Sequence, residues 1–147
     1  MKKALFTLSL AIAAIFAVNT VVAQEIVDGA KIEFEKTLHD YGTIEHGGNG
    51  VYEFVFTNTG NQPLMISNAK GSCGCTVPEW PKEPIAPGAT GVIKVKYDTK
   101  RAGQFSKSVT LTSNAVNSPT MVIRIKGVVK SPAQGGAPAN GTGAPAN

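Results

Sequence analysis

From Lys31 onward, apolar and polar residues alternate with a period of two, the pattern of strands that bury one face and wet the other. Ile32 and Phe34 alternate with Lys31, Glu33 and Glu35. Tyr52, Phe54 and Phe56 share one face of the next run, and Val51 and Val55 on its other face predict burial on both sides. Leu64 and Ile66 follow. The alternation is cleanest where Ile93, Val95 and Tyr97 oppose Lys94, Lys96 and Asp98, and where Val109 and Leu111 oppose Ser108, Thr110 and Thr112. Met121, Ile123 and Ile125 against Val122, Arg124 and Lys126 close the series. No segment of comparable length after the N-terminal stretch repeats at the helical period.

Turn-forming residues separate these runs: Asn58-Thr59-Gly60-Asn61 ahead of Pro63, Ala86-Pro87-Gly88, Lys100-Arg101-Ala102-Gly103, and Asn114 through Pro119. In the first, Asn and Gly are suited to left-handed backbone. Pro87-Gly88 predicts a type II turn into a strand from Gly91 to Asp98. Six or seven short strands punctuated in this way predict an all-β fold, an immunoglobulin-like antiparallel β-sandwich of about seven strands over residues 31–130. The two cysteines are only two positions apart, so an inter-sheet disulfide of the antibody kind is excluded.

The flanks read differently. Lys2 and Lys3 precede an apolar stretch from Ala4 to Val18, and Val21-Val22-Ala23 offers a signal-peptidase site. The stretch is shorter than the roughly 20 residues that cross a bilayer. Residues 1–23 are therefore expected to be a cleaved signal peptide, with Gln24 as the mature start and 24–30 as a short lead-in. The expected location is the periplasm or the cell surface, with no membrane span after cleavage. From Ser131 to Asn147 the chain turns to Gly, Ala, Pro and Asn, with Gly-Ala-Pro-Ala-Asn at 136–140 and again at 143–147. With no large apolar residue to offset chain entropy, this segment is expected to be a disordered tail.

Charge excludes one partner class. The 14 basic residues less Lys2 and Lys3 leave 12 against 10 acidic ones, so the formal charge drops from +4 to +2. Lys94, Lys96, Arg124 and Lys126 alternate along strands, as on solvated sheet faces, and no concentrated basic surface for nucleic acid is expected. No phosphate loop, His-Glu-x-x-His or Gly-x-Ser-x-Gly motif is present. A hydrolase is not expected, and a monomer is.

The candidate chemistry is confined to Lys70-Gly71-Ser72-Cys73-Gly74-Cys75-Thr76-Val77-Pro78-Glu79-Trp80-Pro81, which holds both cysteines and the single tryptophan. Its glycines and prolines predict a loop or irregular edge. Three readings of Cys73, Gly74 and Cys75 stand side by side. A local Cys73–Cys75 disulfide needs a backbone bend that Gly74 eases. Closing so small a ring restrains little of the unfolded chain, and such a ring suits thiol–disulfide exchange. Alternatively, two thiolates supplemented by His39, His46, Met65 or Met121 could hold a soft metal such as Cu(I). In the third reading the pair merely orients the loop, with Trp80 packed beneath it. No cofactor beyond copper is suggested.

One ordered set of motifs adds to this. Asp40-Tyr41-Gly42-Thr43-Ile44, Phe56-Thr57-Asn58-Thr59-Gly60, Pro63-Leu64-Met65-Ile66, Cys73-Gly74-Cys75-Thr76-Val77-Pro78, Ile85-Ala86-Pro87-Gly88, Tyr97-Asp98-Thr99, Gly103-Gln104-Phe105 and Val109 through Asn114 together resemble the DUF1573 family of exported bacterial proteins. The resemblance runs from about Phe34 to Val128. It implies an immunoglobulin-like sandwich akin to major-sperm-protein and abnormal-spindle-type domains, and it implies no activity. Fold and missing catalytic motifs together suggest a non-catalytic binding or scaffolding module of the cell envelope, with an envelope protein or glycan as partner. The alternative is thiol redox or copper handling at the Cys-Gly-Cys loop.

Overall fold

A computed structural model of the protein describes residues 27–133. The expected signal peptide, its cleavage site and the expected tail from residue 134 lie outside the described residues. Within them the chain forms eight strands and no helix: β1 (Ile32–Phe34), β2 (Leu38–Ile44), β3 (Val51–Asn58), β4 (Ile66–Gly71), β5 (Thr76–Glu79), β6 (Thr90–Tyr97), β7 (Gly103–Ser113) and β8 (Thr120–Val129). They make two four-stranded sheets, ordered β1-β3-β6-β5 and β2-β8-β7-β4. The all-β sandwich is as expected.

Two details depart from the sequence reading. There are eight strands rather than about seven, and one pair, β2 with β8, is parallel. Both follow from a strand that changes sheets. Glu35 N–H still donates to Val55 O in the first sheet (3.1 Å), whereas Thr37 O accepts from Arg124 N–H in the second (2.7 Å). The chain keeps its direction across that step, so β2 arrives alongside β8 pointing the same way. A bulge then interrupts β2 between Asp40 and Thr43, where Asp40 Oδ1 accepts the Gly42 N–H (2.8 Å) and Gly42 adopts φ +61°.

The core is the set of alternate positions read from the sequence. Phe54, Phe56, Ile93 and Val95 project from one sheet, and Val109, Leu111, Ile123 and Ile125 from the other, all at most 1% exposed. Burying each of these side chains contributes about 1.5–3 kcal/mol. Tyr97 and Phe105 stack across the two sheets with ring centroids 3.8 Å apart.

The turns divide in outcome. Gly88 has φ +78° and Ala89 N–H donates to Ala86 O (3.0 Å), the type II turn expected of Pro87-Gly88. Asn58, by contrast, is not a left-handed turn residue. No described non-glycine residue has positive φ, and neither does Gly60. Asn58 ends β3 with its side chain fully buried. Its Nδ2 donates to Gln62 O (2.8 Å) and Ile85 O (2.9 Å), while Oδ1 accepts from Lys31 N–H (3.2 Å) and Gly60 N–H (3.0 Å). The amide thus uses both donors and both acceptor sites to hold three segments together.

Candidate functional site

The cysteines lie where the chain crosses from one sheet to the other. β4 is the edge of the second sheet and β5 the edge of the first, so residues 72–75 bridge the open side of the sandwich. At Gly71 the Thr76 carbonyl oxygen occupies the space a Cβ would need, so glycine is what lets the two edges approach. Gly74 faces open space.

Backbone hydrogen bonds hold this crossing on both sides. Ser72 N–H donates to Ser108 O (2.8 Å), and Ser108 N–H donates to Ser72 Oγ (3.2 Å). Thr76 N–H closes a turn onto Cys73 O (3.2 Å), and Asp98 N–H donates to Cys75 O (2.9 Å). Cys73 and Cys75 are joined by a disulfide, with Cα atoms 5.2 Å apart, inside the ordinary range for such a bridge. Of the three readings the sequence left standing, the local disulfide is the one the structure adopts.

The two half-cystines differ in environment. Cys75 is 5% exposed and belongs to the core, whereas Cys73 is only half-buried. Each sulfur is 3.8 Å from Thr76 Oγ1, itself buried. Trp80 is not where the third reading puts it, beneath the pair. It sits beyond the far end of β5, half-buried against the core with the Lys82 ammonium 3.1 Å from its ring centroid. There it borders a separate hollow of about 300 Å³ with Glu53, Glu79, Val92 and Lys94. Its Nε1 is buried without a hydrogen-bond partner among the described residues.

Beside the disulfide opens a cleft of about 740 Å³. Its floor is the outer face of the first sheet, where Val77, Lys96 and Val51 form one cross-strand row. Gly74 and Cys75 bound one side, and residues 47–50 and 98–100 the other. Those last two segments are tied together. Gly47 N–H donates to Thr99 O (3.0 Å), Thr99 Oγ1 donates to Gly48 O (2.7 Å), and the His46 Nε2 is 2.9 Å from Lys100 O.

Behind them, Tyr41 OH donates to Gly50 O (2.9 Å), and burial pushes the Tyr41 hydroxyl up to about 12. Asp98 pairs with Arg101 at 3.4 Å. Lys96 and Lys100 enter no ion pair among the described residues.

The soft-metal set read from the sequence is not assembled. His39 stacks on Tyr52 at 3.5 Å and meets the edge of Tyr41 at 4.4 Å, away from the cysteines, and burial holds its pKa below the ordinary value. Met65 is exposed beside Asn114, and Met121 packs against the core next to Leu111. Only His46 comes near, through its neighbour Gly47 on the cleft rim. Among the described residues no three His, Cys, Asp or Glu side chains converge as ligands, and the two sulfurs are spent on each other.

The sequence reading overlooked the rim residues. The run His46-Gly47-Gly48-Asn49-Gly50 was the available signal, because three glycines in four positions leave a wall without side chains.

With the geometry in hand, the chain can be set beside known proteins. No curated protein matches it. Among solved structures, a protein of unknown function from Porphyromonas gingivalis W83 is 16% identical with a TM-score of 0.62, over 74% of this chain and 51% of that one. The chain thus spans about half the length of that relative. The PapD-like domain 7 of human CEP192 is 11% identical with a TM-score of 0.55, over 72% and 89% of the two chains. The secreted serine protease VesC from Vibrio cholerae is 14% identical with a TM-score of 0.52, over 67% of this chain but only 23% of its own.

At such identities the likeness is one of fold, a PapD-like sandwich, and it carries no activity across. The profile of a family described as protein of unknown function, DUF1573, spans residues 32–129, from the first residue of β1 to the last of β8. That match takes in both sheets and the cysteine crossing, and on it the chain belongs to the DUF1573 family.

Proposed function

We propose that the chain is an exported, non-catalytic binding module of the bacterial cell envelope, and that the cleft beside the disulfide is its contact surface for an envelope protein or glycan. The observation that carries this is the cleft's prior organisation. Backbone and side-chain hydrogen bonds hold its rim segments to each other, and glycines keep one wall bare. A surface already ordered loses little conformational entropy when a partner arrives. Lys96 and Lys100 with Glu79 and Asp98 would face polar, hydroxyl-rich groups, and Val51 and Val77 would cover an apolar one. The N-terminal Lys2-Lys3 and apolar stretch support export.

The test is binding of the purified protein to separated envelope fractions, wall glycan and membrane protein in parallel, with Lys96→Glu as the disabling variant. The expected result is retention by one fraction and at least about tenfold weaker retention of the variant, a change of about 1.4 kcal/mol. Equal retention of the two proteins would remove the cleft from the proposal. Export is checked separately by the mass of the periplasmic form, expected to begin at Gln24.

A further inference from the structure

We propose that Cys73 and Cys75 form a thiol–disulfide exchange site, in which Cys73 is the sulfur attacked and Cys75 the one that leaves and later resolves. The inference goes beyond the binding reading and does not depend on it.

The bridge holds little else in place. Its ring contains a single intervening residue, so it removes little freedom from the unfolded chain. The backbone on both sides is fixed without it, by Ser72 to Ser108 and by Cys75 to Asp98. Opening the bond therefore need not move the strands, and closing it again needs only two side chains already held at a Cα separation of 5.2 Å. A disulfide that can open and close on a fixed frame is suited to turnover rather than to stapling.

The asymmetry of burial sets the direction. Cys75 is inside and Cys73 half outside, so Cys73 is the half-cystine more open to an incoming thiolate. The Thr76 hydroxyl, 3.8 Å from either sulfur, can donate to the Cys75 thiolate as it departs.

The chemistry balances with thiols as the co-reactant. A thiolate attacks Cys73 Sγ, a new sulfur–sulfur bond forms there, and the electron pair of the Cys73–Cys75 bond passes to Cys75. A second thiolate then attacks the incoming group's sulfur and releases Cys73. The two cysteines gain two electrons and the two protons that the thiols gave up, and the thiols leave as a disulfide. In reverse, the Cys75 thiolate resolves a mixed disulfide held on Cys73. The thiols belong either to polypeptide cysteines or to a small molecule.

The test begins with the purified oxidised protein at neutral pH. It is incubated separately with glutathione and with a reduced two-cysteine peptide, quenched in acid, alkylated and weighed, while circular dichroism follows the fold. The expected result is opening of the disulfide with the β-sheet spectrum intact. Faster reaction with the peptide identifies polypeptide thiols as the source and equal or slower reaction small thiols, and either outcome upholds the site.

The single variants assign the roles. Incubated with glutathione disulfide, Cys75→Ser is expected to form the mixed disulfide on Cys73, releasing one glutathione thiolate, at least about tenfold faster than Cys73→Ser forms it on Cys75, because a buried thiol is the less reactive. Equal rates in the two variants would overturn the assignment. A wild-type disulfide that resists both thiols until denaturant unfolds the protein would overturn the exchange site itself, whether or not either variant folds.

Discussion

The side-chain amide of Asn117 takes the place of a neighbouring strand beside Ile32. Its Nδ2 donates to Ile32 O (2.9 Å) and its Oδ1 accepts the Ile32 N–H (3.0 Å), across 85 positions of sequence. Val116 N–H adds a bond to Ala30 O (2.8 Å). β1 is an edge, and unpaired edges template association with other chains. Asn117→Ala is expected to cost about 1–2 kcal/mol in urea unfolding and to introduce concentration-dependent association in sedimentation. A variant that stays monomeric at every concentration would show that the amide does not guard the edge.

Asn58 is the more demanding amide. Asn58→Ala takes the partner from the part-buried Lys31 and Gly60 N–H groups and from the Gln62 carbonyl, while the Ile85 carbonyl keeps the Leu64 N–H, and a loss of about 2–4 kcal/mol is expected. The check is a urea midpoint at unchanged slope. A loss below about 1 kcal/mol would mean that water replaces the amide.

These two asparagines mark the limit of what the sequence discloses. Alternation identified the core because a pleated strand sends every second side chain inward, so Phe54, Phe56, Ile93 and Ile125 were readable one by one. Pro87-Gly88 was readable because its backbone angles are dictated locally. β2 was not, since its bulge at Gly42 breaks the period and Leu38 is exposed. β5 lies in the segment whose glycines and prolines predict a loop or irregular edge, and it is an edge strand.

Pro78 has a place there that only pairing reveals. Since Asp98 donates to Cys75, the next hydrogen-bonded pair is Val77 with Lys96, and Pro78 falls where no N–H is required. For the cysteine pair the sequence leaves the local disulfide as one of three readings and does not choose among them. Its bend is imposed by Ser108 and Asp98, which lie on other strands or their ends. The cleft was invisible for the same reason, being assembled from segments that sheet register alone brings together.

Alkaline stability should report Tyr41. Its hydroxyl, held up to about 12, stays protonated in the folded protein while the unfolded chain ionises near its ordinary value of 10.0. The unfolded state therefore gains between those values, and stability falls as pH rises through that window. Tyr41→Phe is expected to flatten that fall, and to cost about 1 kcal/mol at neutral pH through the lost bond to Gly50 O. An unchanged alkaline slope in the variant would contradict the assignment.

On the acid side His39 acts with the opposite sign. Burial depresses its folded value below the ordinary 6.5, against the partial counter-pull of Asp40, while Lys36 adds to the depression. The unfolded chain then takes up a proton first, so stability declines as pH falls below 6.5 until the folded imidazole also titrates. His39→Gln is expected to flatten this step in thermal melts. Asp40, held down by the Gly42 N–H and Lys126, contributes only lower, as pH drops below 3.8, and separates cleanly.

Removing the disulfide should disturb the fold little. Replacing both Cys73 and Cys75 by serine is expected to lower stability by less than about 2 kcal/mol, the loop-closure value for so short a ring. Calorimetry of the double variant checks this. A larger loss would make the bridge a structural staple.

The parallel pairing of β2 with β8 also gives the molecule a polarity. It sets Lys130 beside Ile44 and Glu45, with Lys130 N–H on Ile44 O (2.9 Å) and the ammonium paired to the Glu45 carboxylate. The described chain therefore departs next to the glycine rim. It enters at the other pole, where Gly29 N–H meets Asn61 Oδ1 (2.8 Å), the length of β3 away. A protein grafted to a support through its N-terminal side would hold the cleft outward, whereas a bulky tag beyond Lys130 would stand at the doorway.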